Sequence, residues 1–262
     1  MSPVILITGG TSGIGRACAF AFGRAGYRVA LTGRDETKLA ETAQALAAAG
    51  IEALPLRADV GHAAQAAQAV ADALAHFGRL DVLINNAGFS MRARFQDADV
   101  SVIERLMQTN FFGVVYTTKA ALPALLASRG SIVGISSIAG YRGLPGRTGY
   151  SASKFALNGF LESLRTELLE QGVHVLTAAP GFTASNIRAV ALAADGTSQG
   201  ESPRDEAAMM TSEAVADALL TAVRQRRREL VLTGQGKLTV FLNKWLPGLM
   251  DRLVLNHFKK EG

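Results

Sequence analysis

The sequence contains a single cysteine, Cys18, among 262 residues. One thiol cannot form a disulfide within the chain, so its stability has to come from packing, and this scarcity of cysteine is typical of a reducing compartment. Cys18 lies in an apolar run with helical spacing, and we interpret it as a packing residue. We therefore expect a cytoplasmic protein without structural disulfides.

Charged residues and long apolar runs are also scarce. Charged residues make up 19% of the chain, and no uncharged apolar run approaches the ~20 residues of a membrane-spanning helix. Ser2 and Pro3 lead directly into an apolar run, which does not fit a signal peptide. The formal charge of +5 permits an anionic ligand, but the basic residues form no stripe with interleaved aromatic residues. We therefore expect no nucleic-acid partner, and we assign no metal site.

Short apolar runs alternate with longer helical patterns along the chain. We predict strands at residues 4–8, 27–32, 53–57, 80–85, 131–136, 173–178 and 229–233, and helices at 14–25, 36–49, 63–77, 100–127, 150–171 and 212–224. Such alternation forms a parallel sheet covered on both faces, and we find no repeat and no linker. The prediction is an α/β fold, a doubly wound parallel sheet of about seven strands, in one domain over residues 1–235. Residues 236–262 would form a C-terminal extension.

The turn between the first strand and the first helix is rich in glycine. It reads Thr8-Gly9-Gly10-Thr11-Ser12-Gly13-Ile14-Gly15. Glycines allow a tight turn and a close approach of the backbone to a pyrophosphate, and the following helix presents unpaired N–H groups and the positive end of its dipole. A plain glycine-rich turn is the alternative. The strand before the motif and the helix after it favour phosphate binding.

Tyr150 and Lys154 are four residues apart in the helix predicted at 150–171. Residues i and i+4 lie on one helix face, so the phenol and the ammonium become neighbours. A positive charge ~4 Å away is worth about 4 kcal/mol at an effective dielectric constant of ~20, which would lower a phenol pKa from ~10 to roughly 7. The pair could therefore act as a general acid/base on a carbonyl/alcohol couple. Most pairs with this spacing are solvated surface residues, so the spacing alone is a weak signal.

Further short motifs follow in order along the chain. Asn85-Asn86-Ala87-Gly88 ends the fourth strand, Asn110 lies in the long helix, Ser137 follows the fifth strand, and Pro180-Gly181 follows the sixth. Together with the glycine turn and the Tyr150–Lys154 pair, these motifs resemble the short-chain dehydrogenase/reductase family over nearly the whole chain, to about Gly234. The resemblance implies a Rossmann-like sheet, a nicotinamide cofactor and hydride transfer to or from a carbonyl carbon.

The resemblance also implies a catalytic tetrad of Asn110, Ser137, Tyr150 and Lys154. Tyr150 would protonate the carbonyl oxygen or remove the alcohol proton, and Lys154 would lower the phenol pKa and bind the nicotinamide ribose. Ser137 would donate a hydrogen bond to the substrate oxygen, with its neighbour Ser136 as the alternative. Asn110 would hold a local helix distortion and a water that links Lys154 to solvent. Without the resemblance, Asn110 reads as a satisfied helix residue and Ser137 as a turn residue.

The cofactor contacts implied by the resemblance come from the glycine turn and from the strand ends. They are Gly9, Thr11, Ser12, Gly13, Ile14, Gly15, Arg34, Asp59, Val60, Asn86, Ala87, Gly88, Tyr150, Lys154, Pro180, Gly181 and Thr183. Asp59 and Val60 resemble the family's adenine-contacting pair, and a helix cap is the alternative for Asp59.

The end of the second strand indicates which cofactor binds. An NAD enzyme usually has a carboxylate here that accepts hydrogen bonds from the ribose 2′-OH, whereas Gly33 occupies this position and Arg34 follows it. A guanidinium can bind a 2′-phosphate with two charge-assisted hydrogen bonds. We interpret Asp35 as the N-cap of the next helix, with Lys38 within reach. The prediction is NADP, with NAD as the alternative because a repositioned Asp35 could reach the ribose.

Residues that follow the strand ends should face the substrate. They are mainly apolar and comprise Phe89, Ser90, Met91, Ile138, Ala139, residues 141–144 and Phe182. We therefore predict an apolar, medium-sized ketone, aldehyde or secondary alcohol. For Arg142 and Arg147, surface solvation is favoured over pairing with an acidic substrate. The segment at 183–211 is predicted to be a lid that is poorly ordered without ligand, with ordinary surface helix and loop as the alternative.

The C-terminal extension combines apolar and basic residues. Apolar residues recur at three- and four-residue steps between residues 238 and 258, lysines and arginines lie among them, and Pro247-Gly248 interrupts the pattern. Packing on the domain or on a second subunit is favoured, and peripheral membrane contact is the alternative. The extension weakly resembles those of reductases related to hydroxysteroid and retinol dehydrogenases. A homodimer or homotetramer is predicted.

These patterns together predict an NADP-dependent carbonyl reductase or alcohol dehydrogenase acting on a small molecule. The alternatives on the same fold are an NAD-dependent alcohol dehydrogenase and a non-catalytic dinucleotide sensor. A sensor should have lost the tyrosine or the lysine, and both Tyr150 and Lys154 are present. An epimerase or dehydratase with a related sheet usually needs a larger substrate domain.

Overall fold

A seven-stranded parallel sheet forms the centre of the protein. The computed structural model describes residues 2–181, 183, 187, 190–200 and 209–261, without the side chains of residues 257, 260 and 261. The strands are β1 (Val4–Ile7), β2 (Arg28–Gly33), β3 (Ala53–Arg57), β4 (Val82–Asn85), β5 (Ser131–Ile135), β6 (His174–Ala179) and β7 (Glu229–Val231), and their order is β3-β2-β1-β4-β5-β6-β7. The predicted doubly wound parallel sheet is confirmed.

Helices cover both faces of this sheet. Across the described residues they are α1 (Gly13–Arg24), α2 (Glu36–Ala48), α3 (Ala63–Phe77), α4 (Val100–Met107), α5 (Gly113–Ser128), α6 (Thr148–Glu167), α7 (Ser212–Arg224), α8 (Gly234–Trp245) and α9 (Pro247–Glu261). Most ends agree with the sequence prediction to within two residues. α6 ends four residues before its predicted end, because the chain turns through Gly172, whose φ is +73°.

The central strand β1 is buried on both faces, as its continuous apolar run predicts. Ile5 and Ile7 belong to the core beneath α1, α2 and α7, whereas Val4 and Leu6 belong to the core beneath α3, α5 and α6. This division follows from the alternation of side chains along a strand. Cys18 is fully buried in the first core, and burial raises the pKa of its thiol. Its predicted packing role is confirmed.

The long helix predicted at 100–127 is interrupted in the structure. α4 ends at Met107, a π turn follows at Gln108–Phe112, and α5 begins at Gly113. By length and composition alone, the 29 residues of Val100–Ser128 could cross a membrane. The expectation concerned uncharged apolar runs, and this stretch contains Glu104, Arg105 and Lys119. One side of this stretch is nevertheless buried in the protein core, including Val102, Leu106 and Leu125.

All strands end at the same edge of the sheet. The glycine turn follows β1, Arg34 follows β2, Asn86 follows β4, and Pro180 follows β6. The strand order reverses between β1 and β4. In open α/β sheets, ligands bind in the crevice beyond the carboxyl ends at such a reversal. The sheet therefore directs the search for a site to this edge.

The C-terminal helices α8 and α9 fold back onto the loop that follows β5. Arg142 donates to Asn243 Oδ1 (3.1 Å) and to Asp251 Oδ1, and Asn243 Nδ2 donates to the backbone oxygen of Tyr141 (2.9 Å). Met250 is buried. These contacts hold part of the extension on the domain, and the predicted interruption at Pro247 is present. The division of the chain at residue 235 stays a prediction.

Candidate active site

The glycine turn bends sharply between β1 and α1. Gly9 and Gly13 have φ values of +65° and +50°, a conformation that glycine adopts at little cost. A Cβ at Gly15, in the first turn of α1, would lie 2.3 Å from the backbone oxygen of Gly9. Ser12, the N-cap, makes no side-chain capping bond. The first N–H groups of α1 therefore stay available to a phosphate.

Asn86 joins the turn after β4 to the glycine turn. Its Nδ2 donates to the backbone oxygens of Thr8 and Gly9 (2.9 Å each), and its backbone N–H donates to Thr8 Oγ1 (2.9 Å). A Cβ at Gly88 would lie 2.8 Å from Asn110 Oδ1. The predicted Asn86, Ala87 and Gly88 segment is thus fixed between the glycine turn and the long helix.

Asn110 lies within the π turn and is fully buried. Its Oδ1 accepts from the backbone N–H of Phe89 (3.0 Å), and its Nδ2 donates to the backbone oxygen of Phe89 (2.9 Å) and to Ser153 Oγ (3.0 Å). A π turn is an uncommon distortion that occurs often at functional sites. The local helix distortion predicted at Asn110 is therefore present, and its side chain joins the segment after β4 to α6.

Tyr150 and Ser137 meet beyond the end of β5. Tyr150 is 6% exposed, and burial raises the pKa of its phenol, outweighing a hydrogen bond with Ser137 and the charge of Arg147, which both lower it. The hydroxyl of Ser136 is engaged elsewhere, because it donates to Asn158 Oδ1. The structure thus places Ser137, rather than Ser136, beside the phenol.

Lys154 lies next to this pair but does not act on the phenol as expected. Its Nζ donates to the backbone oxygen of Ile135 (2.8 Å) and lies 5.7 Å from the centre of the Tyr150 ring. Burial lowers the pKa of Lys154 to about 8. The groups that lower the pKa of Tyr150 are Ser137 and Arg147. The expectation that Lys154 brings the phenol pKa close to neutrality needs correction, because burial keeps the phenol protonated at neutral pH.

The buried ammonium predicts a rise in stability at alkaline pH. The folded-state pKa of Lys154, about 8, lies below the ordinary 10.5, so between these values the unfolded chain binds the proton and the folded chain does not. The free energy of unfolding should therefore rise from pH 8 to pH 10.5, by roughly 3 kcal/mol relative to Lys154→Met. Urea unfolding of both proteins across this range measures the difference. Parallel curves for the two proteins would contradict the prediction.

The end of β2 lacks the carboxylate that NAD enzymes usually carry, because Gly33 occupies that position. A Cβ at Gly33 would lie 2.7 Å from Thr11 Cγ2 and 3.2 Å from Leu39 Cγ, so a larger side chain does not fit without movement. The side chain of Arg34 is 71% exposed, and its Nη1 lies 3.9 Å from Asp59 Oδ2. A weak, exposed ion pair of this kind leaves the guanidinium accessible to another anion.

Asp35 and Asp59 each have a local partner. Asp35 is the N-cap of α2, and its Oδ1 accepts from the backbone N–H of Lys38 (3.1 Å), which confirms its predicted capping role. Asp59 Oδ1 accepts from the backbone N–H of Gly61 (2.9 Å). The N-cap of α3 is His62, so Asp59 shapes the turn before the helix and does not cap it.

A continuous cavity of about 810 Å³ runs along this edge of the sheet. Its lining contains most of the predicted site residues, namely Gly9, Thr11, Ser12, Gly13, Ile14, Arg34, Asp59, Val60, Asn86, Ala87, Gly88, Ser137, Tyr150, Lys154, Pro180, Gly181 and Thr183. Gly15 and Asn110 do not line it. They lie behind the wall, where they support the glycine turn and the segment after β4.

The remainder of the cavity is lined mainly by apolar side chains. They include Phe89, Met91, Ile138, Ala139, Leu144, Ile187, Val190, Ala191 and Leu192. Of the predicted substrate-facing residues, Phe182 lies outside the described residues, and Tyr141, Arg142 and Gly143 do not line the cavity. Tyr141 donates to Glu229, and Arg142 is 16% exposed and pairs with Asp251. The surface solvation favoured for Arg142 was therefore wrong, whereas Arg147 lines the cavity.

The C-terminal helices contribute a wall that the sequence patterns did not predict. Gln235, Leu238, Thr239, Leu242, Met250, Leu253 and Val254 line the cavity. A signal was present, because Leu238 and Leu242 are four residues apart, as are Met250 and Val254. Such spacing marks a single helix face, but it does not indicate which part of the molecule that face contacts.

Part of the predicted lid is docked on the domain. The backbone N–H of Arg92 donates to the oxygen of Leu192 (2.8 Å), the N–H of Leu192 donates to the oxygen of Ser90 (2.9 Å), and the N–H of Asp99 donates to the oxygen of Ala194 (2.9 Å). Residues 184–186, 188, 189 and 201–208 of the same segment lie outside the described residues. A lid that orders on ligand binding stays a prediction.

A glycine turn at the reversal of a parallel sheet, with a buried phenol in the same crevice, is typical of dinucleotide-dependent oxidoreductases. Comparison with known proteins gives the same class, because the model of the short chain dehydrogenase family matches residues 3–195. The chain belongs to the short-chain dehydrogenase/reductase family and is an oxidoreductase.

Individual relatives cover nearly the whole chain. It is 38% identical over 266 residues to dehydrogenase/reductase SDR family member 7B of Bos taurus, across 98% of this chain and 82% of that protein. A short-chain dehydrogenase/reductase from Burkholderia phymatum in complex with NAD has a TM-score of 0.83 at 26% identity, over 95% of both chains. An alcohol dehydrogenase from the archaeon Thermococcus sibiricus, complexed with 5-hydroxy-NADP, has a TM-score of 0.77 at 26% identity, over 88% of this chain and 95% of that one.

Proposed function

We propose that the protein is an NADP-dependent oxidoreductase that acts on the carbonyl or secondary alcohol group of an apolar, medium-sized substrate. The observation that carries the proposal is the position of the buried Tyr150 phenol beside Ser137, in one cavity that joins the glycine turn to an apolar pocket. The expected cytoplasmic location and homo-oligomeric state complete the proposal.

The residues of the cavity fit a dinucleotide. A Cβ at Gly9 would lie 3.0 Å from Ala87 Cα. The backbone of the glycine turn therefore lies directly against the segment that follows β4. The N–H groups at the start of α1 would bind the pyrophosphate, Asp59 and Val60 the adenine, and Lys154 the ribose of the nicotinamide. The nicotinamide, when bound, supplies or accepts the hydride.

The side chains around the phenol have separate roles in the proposed reaction. Because burial raises its pKa, Tyr150 holds its proton at neutral pH, which suits protonation of a carbonyl oxygen in the reductive direction. Ser137 would donate a second hydrogen bond to the same oxygen as negative charge develops there. Asn110 acts as a positioning residue, because it joins the backbone of Phe89, which lines the cavity, to Ser153 of α6, the helix that carries Tyr150 and Lys154.

The preference for NADP rests on Gly33 and Arg34. An exposed guanidinium beside a position that carries no carboxylate favours a 2′-phosphate. Hydrogen bonds to charged groups contribute about 1.5–3 kcal/mol, so Arg34→Ala should lower kcat/KM for NADPH by about ten- to 100-fold. The kcat/KM of the variant for NADH should change little, because NADH lacks the 2′-phosphate.

The control for this prediction is Arg24→Ala. Arg24 ends α1 and does not line the cavity, so its removal should affect both cofactors equally and slightly. The measurement is kcat/KM for NADPH and NADH in the wild type and both variants. A wild type that prefers NADH would refute the assignment to NADP.

A screen of carbonyl compounds tests the proposed reaction itself. Purified protein and NADPH are mixed with ketones and aldehydes of increasing apolar size, and loss of NADPH absorbance is followed. We expect turnover to increase with apolar size, because apolar side chains line most of the pocket. Tight NADPH binding without turnover of any compound would favour the dinucleotide sensor.

A further inference from the structure

Helices α8 and α9 expose a group of large apolar side chains. Leu238, Phe241, Trp245, Leu246, Leu249 and Leu253 are between 47% and 65% exposed. We call these six side chains the tail surface. Leu238, Phe241 and Trp245 follow one another at three- and four-residue steps, so they share one face of α8. A contiguous apolar group of this kind on a folded protein usually marks an interaction site.

The tail surface is continuous with the lining of the cavity. Leu238 and Leu253 both line the cavity and are 56% and 47% exposed. Val190, from the segment after β6, also lines the cavity and is 40% exposed. Side chains that line a cavity and remain exposed form its rim. One part of the rim is therefore apolar and adjoins the tail surface, whereas Arg105, Ser198 and Gln235, which also line the cavity and are exposed, form polar parts of it.

Basic side chains border the tail surface. Lys237, Lys244, Arg252 and Lys259 are exposed along α8 and α9. The described acidic side chain of these two helices, Asp251, is paired with Arg142. The border is therefore positively charged. An apolar helix face with a lysine- and arginine-rich edge is typical of helices that lie in the headgroup region of an anionic bilayer.

Trp245 lies at the boundary between the apolar and basic parts of this surface. Its side chain is 65% exposed, and Lys244 Nζ is 5.8 Å from the centre of its ring. Tryptophan is enriched where a protein meets the interface between hydrocarbon and water, because its ring is apolar and its N–H remains hydrated. Trp245 therefore has the chemical character and the position of an interfacial anchor.

We propose that the tail surface docks the protein on an anionic lipid surface, with the mouth of the cavity against the bilayer. A second copy of the chain fits this surface less well, because a two-fold contact would bring the basic borders of both copies together. Anionic headgroups would instead attract them. If the proposed function holds, an apolar substrate can enter the cavity from the bilayer without crossing water.

The single tryptophan of the chain allows a direct test. Trp245 fluorescence is recorded while vesicles of phosphatidylcholine with phosphatidylserine are added, and again with vesicles of phosphatidylcholine alone. We expect a shift to shorter wavelength with the anionic vesicles, quenching when their lipids carry bromine in the acyl chains, and weaker binding at high salt. No shift with anionic vesicles would overturn the proposal.

Matched variants separate this surface from other exposed apolar residues. Phe241→Asp/Leu249→Asp keeps Trp245 and changes two tail-surface residues that do not line the cavity. The control Leu169→Asp changes a leucine that is 72% exposed just after α6. The double variant should lose vesicle co-sedimentation, whereas the control should retain it. Equal co-sedimentation of both variants would contradict the proposal.

Charge and oligomeric state complete the test. Lys237→Glu/Lys244→Glu should weaken binding to anionic vesicles by at least about tenfold, because each basic residue near such a surface contributes roughly 1 kcal/mol and reversal doubles the change.

Light scattering should give the same mass for the wild type and the Phe241/Leu249 variant. A loss of mass in that variant, with no vesicle binding by the wild type, would identify a second copy as the occupant and overturn the proposal.

The test is independent of the proposed reaction. Reduction of a water-soluble carbonyl compound without vesicles should be the same in the wild type and in the Phe241/Leu249 variant. Vesicle binding without any reductase activity would leave the docking surface standing and remove the proposed function. Reductase activity without vesicle binding would support the proposed function and remove the docking surface.

Discussion

The Tyr150→Phe variant is expected to turn over carbonyl substrates about 10²- to 10⁴-fold more slowly than the wild type, because the substitution removes the proton donor. Phenylalanine keeps the ring, so the packing against Leu106 and Met91 in the small core that forms one wall of the cavity should survive. NADPH affinity should therefore change little. The measurements are kcat at saturating NADPH and the dissociation constant of NADPH by fluorescence.

Tyr141→Phe is the matched control for this variant. The phenol of Tyr141 donates to Glu229 and does not line the cavity, so its removal should leave kcat nearly unchanged. Near-normal turnover by Tyr150→Phe would exclude Tyr150 from proton transfer. A loss of NADPH binding in Tyr150→Phe would instead indicate a structural role for the phenol.

The Gly15→Ala variant should lose both stability and cofactor affinity. A Cβ at this position would lie 2.3 Å from the oxygen of Gly9 and 2.5 Å from Asn86 Nδ2. Those atoms are joined to each other by a hydrogen bond, so neither moves freely. Overpacking of this kind costs about 1–3 kcal/mol. If the turn opens to relieve it, NADPH binding should weaken by about five- to 150-fold.

Gly159→Ala provides the control for a glycine in a helix. A Cβ at Gly159, within α6, would have nothing within 4 Å, and alanine is favoured over glycine in a helix by about 0.5–1 kcal/mol. The control should therefore be slightly more stable than the wild type. Urea unfolding and NADPH titration of both variants give the comparison. Unchanged stability and NADPH affinity in Gly15→Ala would show that Gly9 and Asn86 do not pack against Gly15 as closely as described.

The fold was predictable because its signals are local. Val4 to Ile7 are apolar on both faces of a strand, and the glycines that follow stop the strand. Asp35 caps α2 as its position before a helical pattern indicates. Each such signal needs only the period of side chains along a strand or helix, and the alternation of the two elements then determines a parallel sheet.

The composition of the candidate site was also predictable, but its electrostatics were not. The motifs placed Ser137, Tyr150 and Lys154 in one crevice. The pKa of the phenol, however, depends on how deeply the surrounding elements bury it and on Arg147 at the start of α6. The spacing of Tyr150 and Lys154 on a helix does not determine where the ammonium binds, and here it binds the backbone of β5.

The contacts of the C-terminal helices could not be predicted from local patterns. Arg142 and Asp251 pair across a separation of 109 residues, and no periodicity encodes such a pairing. The amphipathic pattern indicated that α8 and α9 have an apolar side. It did not indicate that one part of that side would face the cavity, with Met250, while another part would stay exposed, with Phe241.

The π turn at Gln108–Phe112 has a consequence for changes of chain length. α4 packs against Tyr150 through Leu106, whereas α5 packs against the sheet through Val114 and Leu125. A π turn holds one residue more than an α turn, and each residue advances an α-helix by about 100°. The π turn therefore accommodates one residue that a regular helix would take up only by rotating α5 against α4 by about 100°, and both packing faces are kept. A one-residue insertion or deletion elsewhere in α4 or α5 has no such accommodation and should be far less tolerated than substitutions on the solvent side of these helices.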